Sequence, residues 1–266
     1  ETVLGSYITH SMILMAGVGI GVAVLGVGTA WLVSLYRFPG SGILEWALIL
    51  PMSVPAYLMA YTYTDLLDYA GPVLSALRAW GVVGEQTGLG GIRSTPGAVV
   101  MMSFVFYPYV YLLTRTAFVG QGIPLLEAAR GLGASPGRVF FRIALPLARP
   151  AIAAGVSLAL METLNDFGTV QYFGVPTFTT GIYRTWYGLG EPVAAAQLSA
   201  LLFLFVLVLI ALEGWSRKAT PIQAARPASA RPFSKIPLTG LKAATAFAAA
   251  SLPLWVGFLI PAVVLV

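Results

Sequence analysis

The chain has 266 residues, of which 58% are hydrophobic and only 9% are charged. Soluble domains carry about 25% charged residues, so a chain with so few cannot cover a water-facing surface, and we expect it to lie in a membrane. The net charge of +5 does not indicate nucleic acid binding, because the basic residues lie between apolar runs. The chain has no cysteine, which excludes thiolate chemistry. Its single histidine, His10, predicts no histidine-based metal site or catalytic triad, and no cofactor is expected.

Six apolar stretches are each long enough to span about 30 Å of hydrocarbon, which predicts an all-α, polytopic membrane protein. They cover residues 12–36, 43–67, 98–119, 147–164, 194–213 and 241–266. The first contains Gly17 and Gly21, a small-xxx-small spacing that favours close packing against another helix. The fourth is short and flanked by prolines.

The lysine and arginine residues are distributed unevenly between the two sides of these spans. If the first, third and fifth stretches end in the cytoplasm, twelve basic residues lie on that side and only Arg78, Arg93 and Arg184 lie outside. Cytoplasmic loops carry an excess of Lys and Arg, so this orientation is predicted. The segments 69–97 and 165–192, rich in Gly, Pro and aromatic residues, then form outer loops or re-entrant pieces.

The predicted cytoplasmic loop at residues 120–146 is longer than a connection needs to be. Pro124 can start a short helix that Gly131 and Gly133 stop, and Ser135-Pro136 can start a second piece. That second piece places Val, Phe, Ile and Leu residues on one side and arginines on the other. Two short amphipathic pieces joined by glycines form a compact knob that fits the groove of a partner protein.

A different kind of segment follows the fifth stretch. Residues 216–240 read SRKATPIQAARPASARPFSKIPLTG, rich in Ala, Pro and Arg and without helical periodicity. This composition predicts a cytoplasmic linker, and attraction to anionic lipid is sufficient to explain its positive charge.

The loop between the third and fourth stretches carries the full spacing EAA-x3-G-x9-I-x-LP, which resembles the signature of the permease subunits of binding-protein-dependent ABC importers. The matching residues are Glu127, Ala128, Ala129, Gly133, Ile143, Leu145 and Pro146. The resemblance implies a five-helix, MetI-like permease core, in which the first piece of the loop is a coupling helix that sits in a cleft of the ATPase. A lipid-lying amphipathic loop would not require this fixed spacing.

The sixth stretch resembles the opening of a second copy of this core, as in iron(III) permeases whose two halves are fused. The resemblance divides the chain into a transmembrane permease domain at residues 1–215, the linker 216–240, and the first helix of a second half at 241–266. It also implies one helix before Glu1. Residues 161–186, METLNDFGTVQYFGVPTFTTGIYRTW, resemble the iron subgroup most closely.

The function implied by this resemblance is half of the translocation pathway of an ATP-driven importer in the bacterial inner membrane, with ferric iron as the cargo. The implied partners are a dimer of ABC ATPase subunits, a periplasmic substrate-binding protein, a second permease half and the lipid bilayer, but no nucleic acid. ATP hydrolysis resides in the ATPase, so the chain itself is not an enzyme.

Carboxylates near the predicted outer ends of two spans are candidates for the substrate pathway, because ionisable residues at membrane depth are costly. Asp65 and Asp68 stand three residues apart in the second stretch, close to Tyr57, Tyr61 and Tyr63, while Glu162 and Asp166 stand four apart in the fourth; the set is completed by Tyr172. Carboxylate and phenolate oxygens suit a hard ion such as ferric iron. These residues could equally be solvated, or paired with Arg184, at the interface.

Two other classes of function are open at this point. A permease of the same family could carry thiamine, a polyamine or sulfate instead. A secondary transporter driven by an ion gradient would need charged or broken-helix sites near the bilayer midplane, whereas the charges here lie near helix ends. The coupling signature has no role in such a transporter.

Overall fold

A computed structural model describes residues 3–67, 71–81, 92–121, 129, 131, 133–218 and 235–265. The helices are α1 (Val3–Leu35), α2 (Ser41–Ala47), a 3-10 turn (Leu50–Ser53), α3 (Ala56–Leu67), α4 (Pro72–Ala79), α5 (Thr95–Gln121), α6 (Pro136–Asn165), α7 (Gly168–Tyr172), α8 (Phe178–Tyr183), α9 (Pro192–Lys218) and α10 (Gly240–Leu265). The two-residue strands β1 (Tyr36–Arg37) and β2 (Ile236–Pro237) pair in parallel. The described chain is thus almost entirely helical, which confirms the predicted fold class.

Five helices of the described part are long and apolar enough to cross a membrane: α1, α5, α6, α9 and α10. The predicted second span, residues 43–67, is wrong as one straight helix, because α2 and α3 meet at a bend of 92°. Pro55 disfavours the helical conformation of the residue before it, and Val54 is extended with φ −104° and ψ 122°. The pair adds a sixth span only if it is counted as one broken helix.

Helix α6 is much longer than the predicted fourth span. It runs for 30 residues without a break, so the second amphipathic piece of the loop and the membrane helix are one element. Pro146 does not end the helix, because a π-helical turn at Phe140–Ala144 precedes it, and the Leu145 N–H donates to the Phe140 carbonyl. A wider turn accommodates a proline that has no N–H and would crowd a regular helix.

The core of the bundle is the contact between α1 and α5. Val18 and Val22 of α1 are fully buried, as is Val110 of α5, which closes in Gly26 of α1. A Cβ at Gly17 would lie only 2.7 Å from a methyl carbon of Val99, and Gly21 is closed in by Ser103, so the predicted small-residue packing face is confirmed.

The last helix, α10, packs onto the preceding bundle. The Tyr63 hydroxyl donates to the Val256 carbonyl over 2.6 Å, so this tyrosine points towards α10 and not into an outer vestibule. At Gly257 an added Cβ would lie 2.5 Å from the Phe104 carbonyl oxygen, so the two backbones nearly touch. The assignment of residues 241–266 to a second permease half stays a prediction.

Candidate functional site

Two parts of the bundle carry the candidate residues, at its opposite ends. We call the end that holds the junction of α1 with β1 the inner end, which is the predicted cytoplasmic side. The outer end holds the last residues of α6 and the helices α7 and α8.

The signature glycine at the inner end has a conformational reason. Gly133 has φ +80°, in the left-handed region, and the Ala134 N–H donates to the Ala129 carbonyl over 3.0 Å. This bond pattern with a left-handed glycine ends a helix. Gly131 is still helical, so of the two predicted stop residues only Gly133 acts as one. Glu127 and Ala128 lie outside the described residues.

The remaining signature residues belong to α6. Ile143, Leu145 and Pro146 are half-buried in and directly after the π-helical turn. The same part of α6 buries Val139 and leaves Arg138 and Arg142 exposed, as predicted for an amphipathic piece, although Phe141 is also exposed. The described part of the signature therefore comprises a glycine-capped turn and the start of a long membrane helix.

Three aromatic rings, which we call the aromatic clamp, join this part of α6 to the bundle. Trp31, near the inner end of α1, lies 4.8 Å from the Phe140 ring and 5.5 Å from the Phe118 ring of α5, centroid to centroid. Sequence reasoning missed the clamp, because aromatic residues at the ends of membrane spans are common and have no distinctive spacing.

An ion-paired glutamate also lies at the inner end. The Glu45 carboxylate accepts hydrogen bonds from Arg115 over 2.9 Å and from Lys235, which directly precedes β2. The Tyr111 hydroxyl donates to the Glu45 backbone carbonyl over 2.9 Å. One sequence signal could have pointed to this cluster: Glu45 is a lone acidic residue at the start of an apolar stretch.

At the outer end, a cavity of about 370 Å³ opens where α2 and α3 are broken. We call it the acidic cavity, because Glu162 and Asp166 both line it, together with Tyr57, Tyr109 and Asn165. Glu162 is exposed, and the Tyr109 hydroxyl donates to its carboxylate over 3.3 Å. No lysine or arginine is among the described residues that line this cavity.

Asp166 has a different environment from Glu162. Its carboxylate accepts the N–H groups of Thr169 over 2.9 Å and Val170 over 3.2 Å, and the Thr169 hydroxyl over 3.0 Å. Burial raises the pKa of Asp166 above its ordinary value, although these hydrogen bonds lower it. Its acceptor positions are largely occupied, so Asp166 holds the start of α7 in place.

Two of the other proposed pathway residues, Asp65 and Tyr172, are described but do not line this cavity. Asp65 is exposed on α3 and is not part of the described lining, and Asp68 lies outside the described residues. The Tyr172 ring lies under the Arg93 guanidinium at 4.9 Å, and its hydroxyl accepts a hydrogen bond from Arg93 over 3.3 Å. Of the four predicted candidates that the structure describes, Glu162 and Asp166 line this cavity, and Asp65 and Tyr172 do not.

Comparison with known proteins identifies related chains with several cargoes. The molybdenum transport system permease protein ModB of Escherichia coli (strain K12) is 30% identical over 207 residues, which cover 76% of this chain and 88% of ModB. The Fe(3+)-transport system permease protein FbpB 2 of Haemophilus influenzae is 28% identical over 78% of this chain and 37% of its own length. The sulfate transport system permease protein CysT of Escherichia coli (strain K12) is 30% identical over 56% of this chain and 51% of CysT.

Solved structures agree on the fold. A chain of a bacterial ABC transporter involved in the import of the acidic polysaccharide alginate superposes with a TM-score of 0.66 at 17% identity, covering 83% of this chain and 81% of that one. The profile of the family described as "Binding-protein-dependent transport system inner membrane component" matches residues 22–218. The chain therefore belongs to this family of transport permeases of the bacterial inner membrane.

Proposed function

We propose that this chain forms half of the translocation pathway of an ATP-driven importer and couples to its ATPase through residues 120–146. The observation that carries the proposal is the capped turn at Gly133, because it gives a conformational reason for the signature spacing. A loaded binding protein docks on the outer end, ATP-driven closure of the ATPase dimer moves the loop, and the helices alternate between outward and inward access.

We further propose ferric iron as the cargo, in preference to the oxyanions that some relatives carry. The described lining of the acidic cavity offers carboxylate, phenol and amide oxygens and no cationic side chain, so a hard cation is attracted and an anion is repelled. No group of three His, Asp or Glu side chains that could hold a metal occurs among the described residues. The proposal needs only weak attraction of the cargo, since a cargo that passes through must also leave.

The cargo is tested by uptake into proteoliposomes that contain the whole transporter, with its ATPase and binding protein. We expect uptake of labelled iron and none of molybdate or sulfate. Glu162→Gln removes the exposed charge of the acidic cavity and should lower iron uptake roughly tenfold. The exposed Glu191 supplies the control, since Glu191→Gln should leave uptake unchanged. Uptake of an oxyanion by the wild type, or full iron uptake by Glu162→Gln, would contradict this cargo.

The coupling role is tested separately with two glycines of the same loop. Gly133→Ala places a side chain at φ +80°, which strains the turn, whereas Gly131→Ala adds a methyl group to a helical position with open space around it. We expect Gly133→Ala to reduce co-purification of the ATPase and ATP-dependent uptake, and Gly131→Ala to reduce neither. Equal behaviour of the two variants would sink the coupling assignment.

A further inference from the structure

Helix α6 connects the two parts of the candidate site directly. Its 30 residues correspond to a length of about 45 Å at 1.5 Å per residue. The signature residues Ile143 and Leu145 lie near its start, and Glu162 lies in its last turn. A displacement of the loop can therefore reach the acidic cavity through one helix, provided that this helix moves as a rigid body.

One irregular point of this helix is the π-helical turn at Phe140–Ala144, and Pro150 lies within the same helix farther along. Its Leu145 N–H bonds five residues back, to Phe140, and Pro146 contributes no N–H to the next turn. Irregular turns of this kind are where helices bend. Without a brace, movement of the loop would be absorbed here as bending and would not reach Glu162.

The aromatic clamp lies at this turn. Phe140 is the first residue of the π-helical turn, and its ring packs on Trp31, which packs edge-on against Phe118. Since Trp31 belongs to α1 and Phe118 to α5, the weak turn is held against the best-packed helix pair of the bundle. Trp31 is itself half-buried and packs against the core of the bundle.

A second close contact lies farther along α6. At Gly155 an added Cβ would lie 2.7 Å from the Val110 Cα and 3.0 Å from the Tyr109 carbonyl oxygen, so α6 and α5 cross backbone to backbone. Tyr109 is also the residue whose hydroxyl donates to Glu162. The helix is thus braced below its crossing point by Trp31, and it acts on the cavity above that point.

We propose that Trp31 is a positioning residue of the transport cycle: it braces the π-helical turn of α6 so that movement of the coupling loop is transmitted to the acidic cavity. The inference rests on the proposed function, because it needs the loop to be moved by an ATPase. Trp31 contacts neither the cargo nor ATP in this scheme, and its loss should affect the coupling of hydrolysis to transport.

The test is the ratio of cargo transported to ATP hydrolysed, measured on the whole transporter in proteoliposomes with labelled iron, molybdate and sulfate each tried as cargo. Trp31→Ala should keep the ATPase bound and ATP hydrolysis active but lower the transport ratio roughly fivefold or more. Trp31→Phe keeps a ring and should restore most of the ratio. Trp46→Ala makes the same chemical change at a tryptophan of α2 that is 73% exposed, and should leave the ratio unchanged.

Phe140→Leu and Trp31→Leu weaken the same ring contact but remove less side-chain volume than Trp31→Ala does. Both should lower the transport ratio even if Trp31→Ala fails to assemble. A purely structural role would lower assembly, hydrolysis and transport together, and that outcome would overturn the inference, as would an unchanged ratio in Trp31→Ala or in both leucine variants. A wild type that neither binds an ATPase nor transports any of the three cargoes would instead refute the proposed function itself.

Discussion

The inner and outer ends of the bundle each carry a glutamate, and the two carboxylates have opposite electrostatic environments. Glu45 at the inner end is neutralised by Arg115 and Lys235, two cations that the fold brings from distant parts of the chain. Glu162 at the outer end is exposed and meets only the Tyr109 hydroxyl as a described hydrogen-bond donor. A paired acid holds helices together, whereas an acid left with one neutral donor keeps its charge available for a cargo.

Asp166 shows that position alone does not separate these roles. It lines the same cavity as Glu162, four residues away, yet its carboxylate is occupied by the backbone and hydroxyl of Thr169 and by the backbone of Val170. We therefore expect stability to depend on Glu45 and Asp166, and uptake per folded molecule to depend on Glu162. Four substitutions, taken from the largest expected loss of stability to the smallest, test this division.

Glu45→Ala should have the largest effect on stability. It leaves Arg115 and Lys235 close together and without their shared counter-ion in a partly buried place, at a cost on the order of 2 kcal/mol. Thermal unfolding of the purified protein in detergent measures the loss. Glu191→Ala at an exposed position is the control and should be neutral. An unchanged unfolding temperature for Glu45→Ala would break the comparison at its inner end.

Asp166→Ala should come next, with a loss of about 1 kcal/mol, because the first N–H groups of α7 lose their acceptor. Asp166→Asn keeps one oxygen acceptor in place and should lose less than half as much. Uptake should fall only as far as the amount of folded protein falls. A large loss of uptake per folded molecule in Asp166→Asn would assign Asp166 to the pathway beside Glu162.

Lys235→Ala should cost less, about 0.5 kcal/mol, because Arg115 still pairs with Glu45 and the lysine is partly solvated. The difference from wild type should shrink as salt is added, since screening weakens a partly solvated pair. Lys242→Ala, at an exposed position of α10, serves as the matched control. A loss as large as that of Glu45→Ala would mean that Lys235 and not Arg115 is the main partner.

Glu162→Gln should have the smallest effect on stability, below about 0.5 kcal/mol, since it removes no ion pair among the described residues. It is also the substitution that should lower iron uptake most, so stability and uptake should rank these two glutamates in opposite order. If Glu162→Gln unfolds as readily as Glu45→Ala, Glu162 is a structural residue and the comparison fails at its outer end.

Features that depend on neighbours in the chain were predictable from the sequence. Apolar runs of sufficient length predicted the membrane helices, and the spacing of Gly17 and Gly21 predicted the tight contact with α5. The position of the signature glycine also follows from local backbone preference, since Gly133 lies where a helix ends in a left-handed turn. Each of these follows from local backbone preference or from a repeat along one helix face.

What the tertiary structure decided depends on partners far apart in the chain. Glu45 pairs with two cations that lie 70 and 190 residues away in the chain, and the Trp31 ring of α1 packs on the Phe140 ring of α6. No local sequence pattern marks either contact. The predicted fourth span, residues 147–164, is shorter than α6, and the 92° bend within the second stretch was not predicted. Pro146 follows a π-helical turn, and the helix continues through it, whereas Pro55 lies at the bend beside the acidic cavity. Only the packing around each proline distinguishes the two cases.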